Sequence, residues 1–324
     1  MLKYFAIALI AFFAGHAAVI ILRKIGEKNK ILMRHGIPQV GGVAMFAGFA
    51  AAVMACSAFY CGLPRQVFGA FFASLVMFLF GLVDDKYELS VAAKFLAQVI
   101  SACVLVLFGV KTKIAGIPDA ANMFITFVWL LGIANAFNHL DIIDGLAGIS
   151  ALAVSVVFFI LSSSGNDPAT AFFSLALAGS ILSFLFYNFP PAKIYMGNSG
   201  SHFLGFALAA AALMVSYASA DKKIALLSPL FILGLPILDT SFLIWVRIKK
   251  RRLPFNKSND HIAMRLVAAG FSVKKTLLIL SAVGILFPIC GLILVVLPAP
   301  FSVFVVLAAL LTAAVFSVKM FRKR

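Results

Sequence analysis

The stretch Asn135-Ala136-Phe137-Asn138-His139-Leu140-Asp141-Ile142-Ile143-Asp144-Gly145 lies where a long apolar run gives way to polar residues. It holds two carboxylates and two carboxamides in a chain that has only 11 acidic residues among 324. If the segment is helical, Asp141 and Asp144 share a face, because residues three apart are neighbours on a helix. Two such carboxylates could bind one cation. The alternative is a polar helix end without chemistry.

The composition around this stretch is that of a membrane protein. Hydrophobic residues make up 63% of the chain and charged residues only 12%, and the mean hydropathy is +1.10. A soluble domain of this length could not carry so many apolar side chains on its surface. The net charge of +16 fits basic residues in short membrane-protein loops better than a nucleic-acid-binding surface. We therefore expect no nucleic-acid partner.

Windows of about 20 apolar residues are typical of transmembrane helices, and the chain contains eleven of them. They cover residues 4–22, 40–61, 67–83, 91–109, 121–137, 145–163, 168–188, 201–219, 224–246, 275–297 and 300–318. No soluble domain or internal repeat separates them. The sequence therefore predicts an all-α, polytopic integral membrane protein with about 11 transmembrane helices in a single domain, residues 1–324.

The charged residues are unevenly distributed between the two sides of the predicted helix bundle. Most of the 27 Lys and Arg residues lie in the loops after odd-numbered spans and in the C-terminal tail. By the positive-inside rule these loops face the cytoplasm, so we expect the N-terminus outside and the C-terminus in the cytoplasm. Most acidic residues lie on the same side. Because acids near the bilayer are costly and often functional, we expect one active site built from several cytoplasmic loops.

Three further motifs fall on this predicted side. The first loop places Arg34 and His35 beside Gly36, and glycine lets the backbone approach a phosphate that Arg34 would neutralise. The adjacent Asp84 and Asp85 close the third span, and such a pair is most stable beside a cation. Residues 197–205, Gly-Asn-Ser-Gly-Ser-His-Phe-Leu-Gly, open span eight, where the N-terminus of a helix can bind an anion. The alternatives are a simple turn, a solvated helix end and a helix cap, respectively.

The loop after span nine, residues 247–275, joins a basic run to a histidine-containing segment. Asp260, His261 and Arg265 are expected to share one face of a short helix over the site. An amphipathic helix on the membrane surface is the alternative. Asp239, inside span nine, is expected to join helices through a hydrogen bond.

Taken in order, these motifs resemble those of the polyprenyl-phosphate N-acetylhexosamine-1-phosphate transferases. The order is basic-His-Gly-x-Pro-x-x-Gly-Gly, Asp-Asp, Asn-x-x-Asn-x-x-Asp-x-x-Asp-Gly, Gly-x-x-Gly-Ser-x-x-Leu-Gly, and Pro-Phe before a His-containing loop. The likeness covers nearly the whole chain. It implies transfer of N-acetylhexosamine-1-phosphate (HexNAc-1-phosphate) from a UDP-HexNAc to undecaprenyl phosphate, with release of UMP, in the bacterial cytoplasmic (inner) membrane. The lipid-linked product would initiate a surface polysaccharide such as O-antigen or a cell-wall polymer.

The resemblance also implies roles for individual residues. The catalytic carboxylates would be Asp84, Asp85, Asp141 and Asp144, with Asp84 and Asp85 as the base and the acid nearest the metal. Mg²⁺ is the implied metal, with Mn²⁺ as an alternative, and its ligands would be Asp85, Asp141 and Asn198. The substrate-binding residues would be Arg34, His35, Asn135, Asn138, Asn198, Ser201, His261 and Arg265. Membrane lipids are further expected partners, and a homodimer is left open.

Three departures from the family pattern bear on these roles. Asn198 stands where most members have Asp, so we expect weaker metal affinity, or an ion held mainly by Asp141 and Asp85. Ile142 replaces the usual glycine after the first Asp of its motif, so the local backbone is expected to differ. The last loop reads His-Ile-Ala-Met (261–264) in place of several histidines. That difference favours a branch that primes a surface polysaccharide over the muramoyl-pentapeptide transferase of peptidoglycan synthesis and over the best-known GlcNAc enzymes.

Two other functions remain open from the sequence. The first is a membrane transporter or flippase of lipid-linked or anionic substrates. Transporters usually show paired internal repeats and binding groups near the midplane, and neither is visible in this sequence. The second is a catalytically impaired homologue of the same family, which Asn198 motivates.

Overall fold

The computed structural model describes residues 2–59, 62–217, 223–251 and 260–308. Within these ranges almost all regular structure is helical, which confirms the all-α prediction apart from one short hairpin. The helices are α1 Leu2–Asn29, α2 Gly41–Phe59, α3 Arg65–Tyr87, α4 Val91–Leu107, α5 Asp119–Leu140, α6 Leu146–Ser164, α7 Pro168–Asn188, α8 Gly197–Met214, α9 Ser228–Ile232, α10 Gly234–Lys249, α11 Ile262–Ala268, α12 Val273–Val296 and α13 Ala299–Ala308. A 3₁₀ turn, Lys223–Leu227, precedes α9.

The exception is an antiparallel hairpin between α1 and α2, formed by β1 Met33–Arg34 and β2 Ile37–Pro38. His35 and Gly36 at its tip both have a positive φ, 50° and 79°, as the two central residues of a tight hairpin turn require. Glycine adopts this conformation without strain, whereas a histidine does so at some cost. The basic-His-Gly motif therefore lies at the tip of a projecting turn.

Seven helices among the described residues are long and apolar enough to cross a membrane, or eight if the bent pair Lys223–Ile232 and Gly234–Lys249 forms one span. The chain is thus a multi-pass membrane protein, although the predicted count of eleven spans is not confirmed. Helices do occupy the windows of spans four and eight, but α4 has only 17 residues and α8 begins with polar residues. Span nine is interrupted at Leu233, where the chain bends by 74°. Part of span eleven, 309–318, lies outside the described residues.

Large apolar side chains cover the outside of the bundle. Phe13, Phe124 and Leu278 are 61%, 70% and 71% exposed, respectively. A water-soluble protein rarely exposes so many large apolar residues together. This surface is suited to contact lipid acyl chains.

Helix α8 lies inside the bundle, against α2, α3, α5 and α6, and nearly all of its residues are buried. Its many small side chains let neighbouring helices approach closely. A Cβ atom on Gly81 of α3 would lie 2.5 Å from the Cα of Ser199, and one on Gly205 would lie 2.9 Å from the Cα of Ala134 in α5. These close approaches bring the N-terminus of α8 next to the ends of α3 and α5.

Candidate active site

The helix ends that carry the sequence motifs meet at one end of the bundle, which we call the acidic end. It comprises the last residues of α3 and α5, the first residues of α8, the β1–β2 hairpin and the segment around α11. The antiparallel succession of helices produces this arrangement, because every second connection returns the chain to the same end. The motifs that the sequence places on one predicted side therefore lie together in space.

Asp85 binds the N-terminus of α8. Its Oδ1 accepts a hydrogen bond from the backbone N–H of Asn198 at 2.6 Å, and its Oδ2 accepts one from the N–H of Ser199 at 2.9 Å. The first N–H groups of a helix lack partners within the helix and favour an anion. Gly197, with φ 72°, leaves the required space, since a Cβ there would lie 2.7 Å from Oδ2 of Asp85. The helix terminus for which the sequence predicts an anion thus binds a carboxylate of the chain itself.

Asp84 is buried and already paired. Its Oδ1 accepts a hydrogen bond from the N–H of Leu89 at 2.8 Å, and its Oδ2 lies 2.8 Å from Nζ of Lys94 in α4. Lys94 lies within the predicted span 91–109, where it gave no sign of a contact with Asp84, so its role there was missed. A lysine one turn into the helix that follows Asp-Asp was the available signal.

Asp141 follows the last residue of α5 and is half-buried. Its carboxylate makes no hydrogen bond or ion pair with any residue that the structure describes. Burial raises the pKa of Asp141 to about 7; Asp144 and Asp85 add to this increase, and Arg34 in the hairpin opposes it. Three carboxylates are therefore close enough to repel one another, an arrangement that a bound cation would stabilise.

Asp144 and the buried Asn188 connect the α5–α6 turn to the segment that leads into α8. Oδ2 of Asp144 accepts a hydrogen bond from the N–H of Ala192 at 3.3 Å. The amide of Asn188 accepts one from the N–H of Gly145 at 2.9 Å and donates one to the carbonyl of Ile194, also at 2.9 Å. Asn188 was missed in the sequence, where it was only a polar residue at the end of a span.

The carboxamides of Asn138 and Asn198 are in direct contact. Nδ2 of Asn138 donates to Oδ1 of Asn198 at 3.0 Å and to Oγ of Ser201 at 2.9 Å. The atom of Asn198 that was predicted to bind a metal therefore already accepts one hydrogen bond. An aspartate at this position could accept the same bond and add a negative charge to the site.

Asn135 is separated from this cluster by its hydrogen bonds. Its amide pairs with that of the buried Gln98 in α4 through two reciprocal bonds, at 2.9 and 3.0 Å, and also donates to the carbonyl of Leu131 at 2.8 Å. These contacts join α4 to α5. The structure thus places Asn135 in helix packing, and its predicted contact with substrate stays a prediction.

The α11 segment carries the other predicted substrate-binding residues. As expected, Asp239 joins elements: its Oδ2 lies 2.8 Å from Nδ1 of His261, and its Oδ1 accepts from the N–H of Ile262 at 2.9 Å. Oδ1 of Asp260 accepts hydrogen bonds from Lys250 at 2.6 Å and Arg265 at 3.0 Å. Burial alone would raise the pKa of Asp260, but these two cations hold it below the usual value.

Only part of the predicted shared face is formed by a helix. Asp260 and His261 precede α11, and only Arg265 lies within it. The ring of His261 contacts that of His139 in α5, with 5.9 Å between centroids, so the segment lies against the acidic end. The Pro254-Phe255 motif falls outside the described residues.

The residues of the acidic end fit a magnesium ion better than a metal held wholly by side chains. Among the described residues no group of three or more His, Cys, Asp or Glu side chains is arranged to hold a metal. Mg²⁺, however, is usually bound by one or two carboxylates, with water and substrate phosphates as the other ligands. The unpaired carboxylate of Asp141, beside Asp85 and Asp144, matches that requirement.

Comparisons with known proteins support the family resemblance. Residues 67–216 match the model of glycosyl transferase family 4. A Bacillus subtilis (strain 168) protein named probable undecaprenyl-phosphate N-acetylglucosaminyl 1-phosphate transferase is 35% identical over 268 residues, covering 80% of this chain and 73% of that protein. An undecaprenyl-phosphate alpha-N-acetylglucosaminyl 1-phosphate transferase of Thermotoga maritima is 30% identical over 299 residues, 88% of each chain.

A decaprenyl-phosphate N-acetylglucosaminephosphotransferase of Mycolicibacterium smegmatis is 33% identical over 281 residues, which cover 75% of this chain and 68% of that protein. The region matched by the family model contains the Asp84-Asp85 pair, the Asn135–Gly145 stretch and the start of α8. The chain therefore belongs to glycosyl transferase family 4, among the polyprenyl-phosphate N-acetylhexosamine-1-phosphate transferases, and is a sugar-phosphate transferase of the membrane.

Proposed function

We propose that this enzyme transfers HexNAc-1-phosphate from a UDP-HexNAc to undecaprenyl phosphate. In the net reaction an oxygen of the lipid phosphate bonds to the phosphorus that bears the sugar, and the bond from that phosphorus to UMP breaks. The observation that carries the proposal is the unpaired carboxylate of Asp141 beside Asp85 and Asp144, at the end of a membrane-embedded bundle. The family membership supplies the reaction type.

The charges at the acidic end suit phosphoryl transfer, which depends on positioning and on neutralising phosphate oxygens. Mg²⁺, or alternatively Mn²⁺, would neutralise charge on the transferred phosphoryl group when it is bound. Asp141 is the residue that we expect to hold it, with the free lone pairs of Asp85 and the carboxamide of Asn198 as further oxygen ligands. Arg34 lies close enough to Asp141 to lower its pKa, and is therefore placed to approach a substrate phosphate.

Asp84 is the proposed base for the lipid phosphate. Its contact with Lys94 keeps a cation beside the carboxylate that would receive the proton. Asp144 supports the cluster through its bond to the backbone of Ala192. Asn138 donates to both Asn198 and Ser201 and so orients Asn198, while His35, Ser201, His261 and Arg265 are proposed to contact the nucleotide-sugar.

The membrane and the pathway are also part of the proposal. Arg34, Lys193 and Arg247 lie at or next to the acidic end, so the positive-inside rule supports a cytoplasmic position for this end and an N-terminus outside, in a bacterial cytoplasmic membrane. The names of the relatives make UDP-GlcNAc the first donor to test. The His-Ile-Ala-Met loop supports a role in O-antigen or another surface polysaccharide, and a homodimer remains an expectation.

A UMP-release assay tests the proposal. Purified protein in lipid nanodiscs is given undecaprenyl phosphate, Mg²⁺ and, in turn, the UDP-linked forms of GlcNAc and of its 6-deoxy relatives QuiNAc and FucNAc. We expect UMP with at least one donor, and only when both the lipid and the metal are present. Asp141→Asn should abolish release, whereas Asp119→Asn, a matched change at the opposite end of α5, should not. No UMP with any donor, or full activity of Asp141→Asn, would contradict the proposal.

A further inference from the structure

Asp239 makes two hydrogen bonds, one with a backbone N–H and one with a histidine ring. Oδ1 accepts from the backbone N–H of Ile262 at the start of α11, and Oδ2 lies 2.8 Å from Nδ1 of His261. Asp239 and His261 are 3% and 8% exposed, so both contacts are protected from water. The carboxylate belongs to α10, and the two groups it binds follow the loop after that helix.

The second bond determines which ring nitrogen of His261 carries the proton. A carboxylate only accepts hydrogen bonds, so Nδ1 must be the donor, in the neutral as well as in the protonated ring. Nε2 has no hydrogen-bond partner among the described residues. It is therefore the ring atom that remains to contact a ligand, as an acceptor in the neutral ring and as a cationic donor in the protonated ring.

We infer that Asp239 is a positioning residue for the nucleotide-sugar site, acting through His261, whose ring and Nδ1 proton it holds so that Nε2 faces the donor substrate. This inference rests on the proposed function, which assigns His261 to that substrate. For histidines that bind a metal, loss of the carboxylate that orients the imidazole typically costs about 10- to 100-fold in affinity or activity, and we expect an effect of the same size here. If Asp239 served only to hold α10 and α11 together, its replacement would lower stability without a specific effect on donor binding.

The Asp239→Asn variant separates the two roles. Its amide oxygen can still accept from Ile262, which keeps the bond to α11. Its NH₂ group then faces Nδ1 and requires Nδ1 to be an acceptor, so the neutral ring of His261 shifts its proton to Nε2. Nε2 can no longer accept a hydrogen bond, and a protonated ring loses its counter-charge. The Asp239→Asn variant therefore keeps the hydrogen bond to Ile262 but impairs Nε2 of His261 both as an acceptor and as a cationic donor.

The first measurement is ¹⁵N NMR of histidine-labelled protein, with His261→Gln used to assign the signal. This NMR measurement does not require the enzyme to be active. We expect neutral His261 to carry its proton on Nδ1 in the unaltered protein and on Nε2 in Asp239→Asn. A proton on Nε2 in the unaltered protein would overturn the inference without any Asp239 variant, and no shift in Asp239→Asn would do so as well.

The second measurement is UMP release at varied donor concentration, with Asp119→Asn as the matched control. We expect Asp239→Asn to raise KM for the donor about 10- to 100-fold while its melting temperature stays near that of the control. In a His261→Gln background the same change should have no further effect, because residues that act through one another are not additive. Equal, additive losses in both backgrounds would overturn the inference. Absence of UMP from the unaltered enzyme would instead count against the proposed function, and the NMR result would still decide the role of Asp239.

Discussion

The raised pKa of Asp141 predicts that magnesium affinity depends steeply on pH. With a pKa of about 7, the carboxylate of the metal-free enzyme is mostly ionised at pH 8 and mostly protonated at pH 6. Mg²⁺ binds the ionised form, so at low pH it must displace a proton. The apparent affinity should therefore fall as the pH decreases through 7.

The size of the effect follows from the loss of one proton. Well below the pKa, the ionised fraction decreases tenfold for each pH unit, which corresponds to about 1.4 kcal/mol of binding free energy per unit. Between pH 8 and pH 6 the apparent affinity should thus decrease by about tenfold, since the ionised fraction of Asp141 falls by about that factor, mostly below pH 7. An aspartate with an ordinary pKa would give almost no change over this range.

The assay is a Mn²⁺ titration of the protein in nanodiscs without substrate, in which free Mn²⁺ is followed by electron paramagnetic resonance and Mg²⁺ is added as a competitor. Asp119→Asn is the control, because it removes an exposed carboxylate far from the acidic end. It should leave the pH dependence unchanged. Asp141→Asn should bind the metal weakly at every pH.

A flat pH dependence between pH 8 and pH 6 in the unaltered protein would refute this reasoning. So would a pH-dependent affinity that persists in Asp141→Asn, because the responsible proton would then belong to another group.

Three other changes test the remaining contacts of the acidic end. Asp141→Asn should raise the melting temperature of the metal-free protein at pH 8, where Arg34 offsets only part of the charge on the native side chain, and this gain should shrink below pH 6; equal melting curves at pH 8 would contradict it. Asn198→Asp should strengthen Mn²⁺ binding in the same titration, since an aspartate keeps the hydrogen bond from Asn138 and adds a charge; unchanged or weaker binding would place the metal elsewhere. Gln98→Leu should lower stability by about 1–3 kcal/mol because it removes both hydrogen bonds between Gln98 and Asn135 and leaves Oδ1 of Asn135 without its donor, whereas the double change with Asn135→Leu should restore most of it; a raised donor KM in the double variant would instead support the predicted substrate contact of Asn135.

The helical fold and the meeting of the motifs could be predicted because both follow from patterns along the chain. Apolar windows identify helices, and alternation of loops between two sides places every second loop at the same end. The number of spans was harder to predict, since the window test counts apolar residues and not the path of the backbone. The break at Leu233 shows this: Gly234 and Pro236 were local signals, but the path of the chain after the break also involves helices distant in sequence, since α9 packs against α12 and α10 packs against α5 and α12.

The contacts within the site could not be predicted because they join residues far apart in the sequence. Asp85 accepts a hydrogen bond from the backbone N–H of Asn198, which is 113 residues away in the sequence. Asn138 donates a hydrogen bond to the same asparagine from 60 residues away. Sequence patterns identified these residues as polar groups at helix ends without specifying their partners. The two-residue strands on either side of His35 and Gly36 were missed for a different reason, as segments this short show no strand periodicity.

The placement of Asp85 changes how the site must handle its substrates. The N-terminus of α8 is already occupied by that carboxylate, so a substrate phosphate meets negative charge where the sequence predicted a positive helix end. Asp84, Asp85, Asp141 and Asp144 would repel two anionic substrates unless cations neutralise them. Lys94 forms an ion pair with Asp84, and Arg34 offsets part of the charge at Asp141. The remaining charge is the physical reason to expect that a divalent cation binds before, or together with, the nucleotide-sugar.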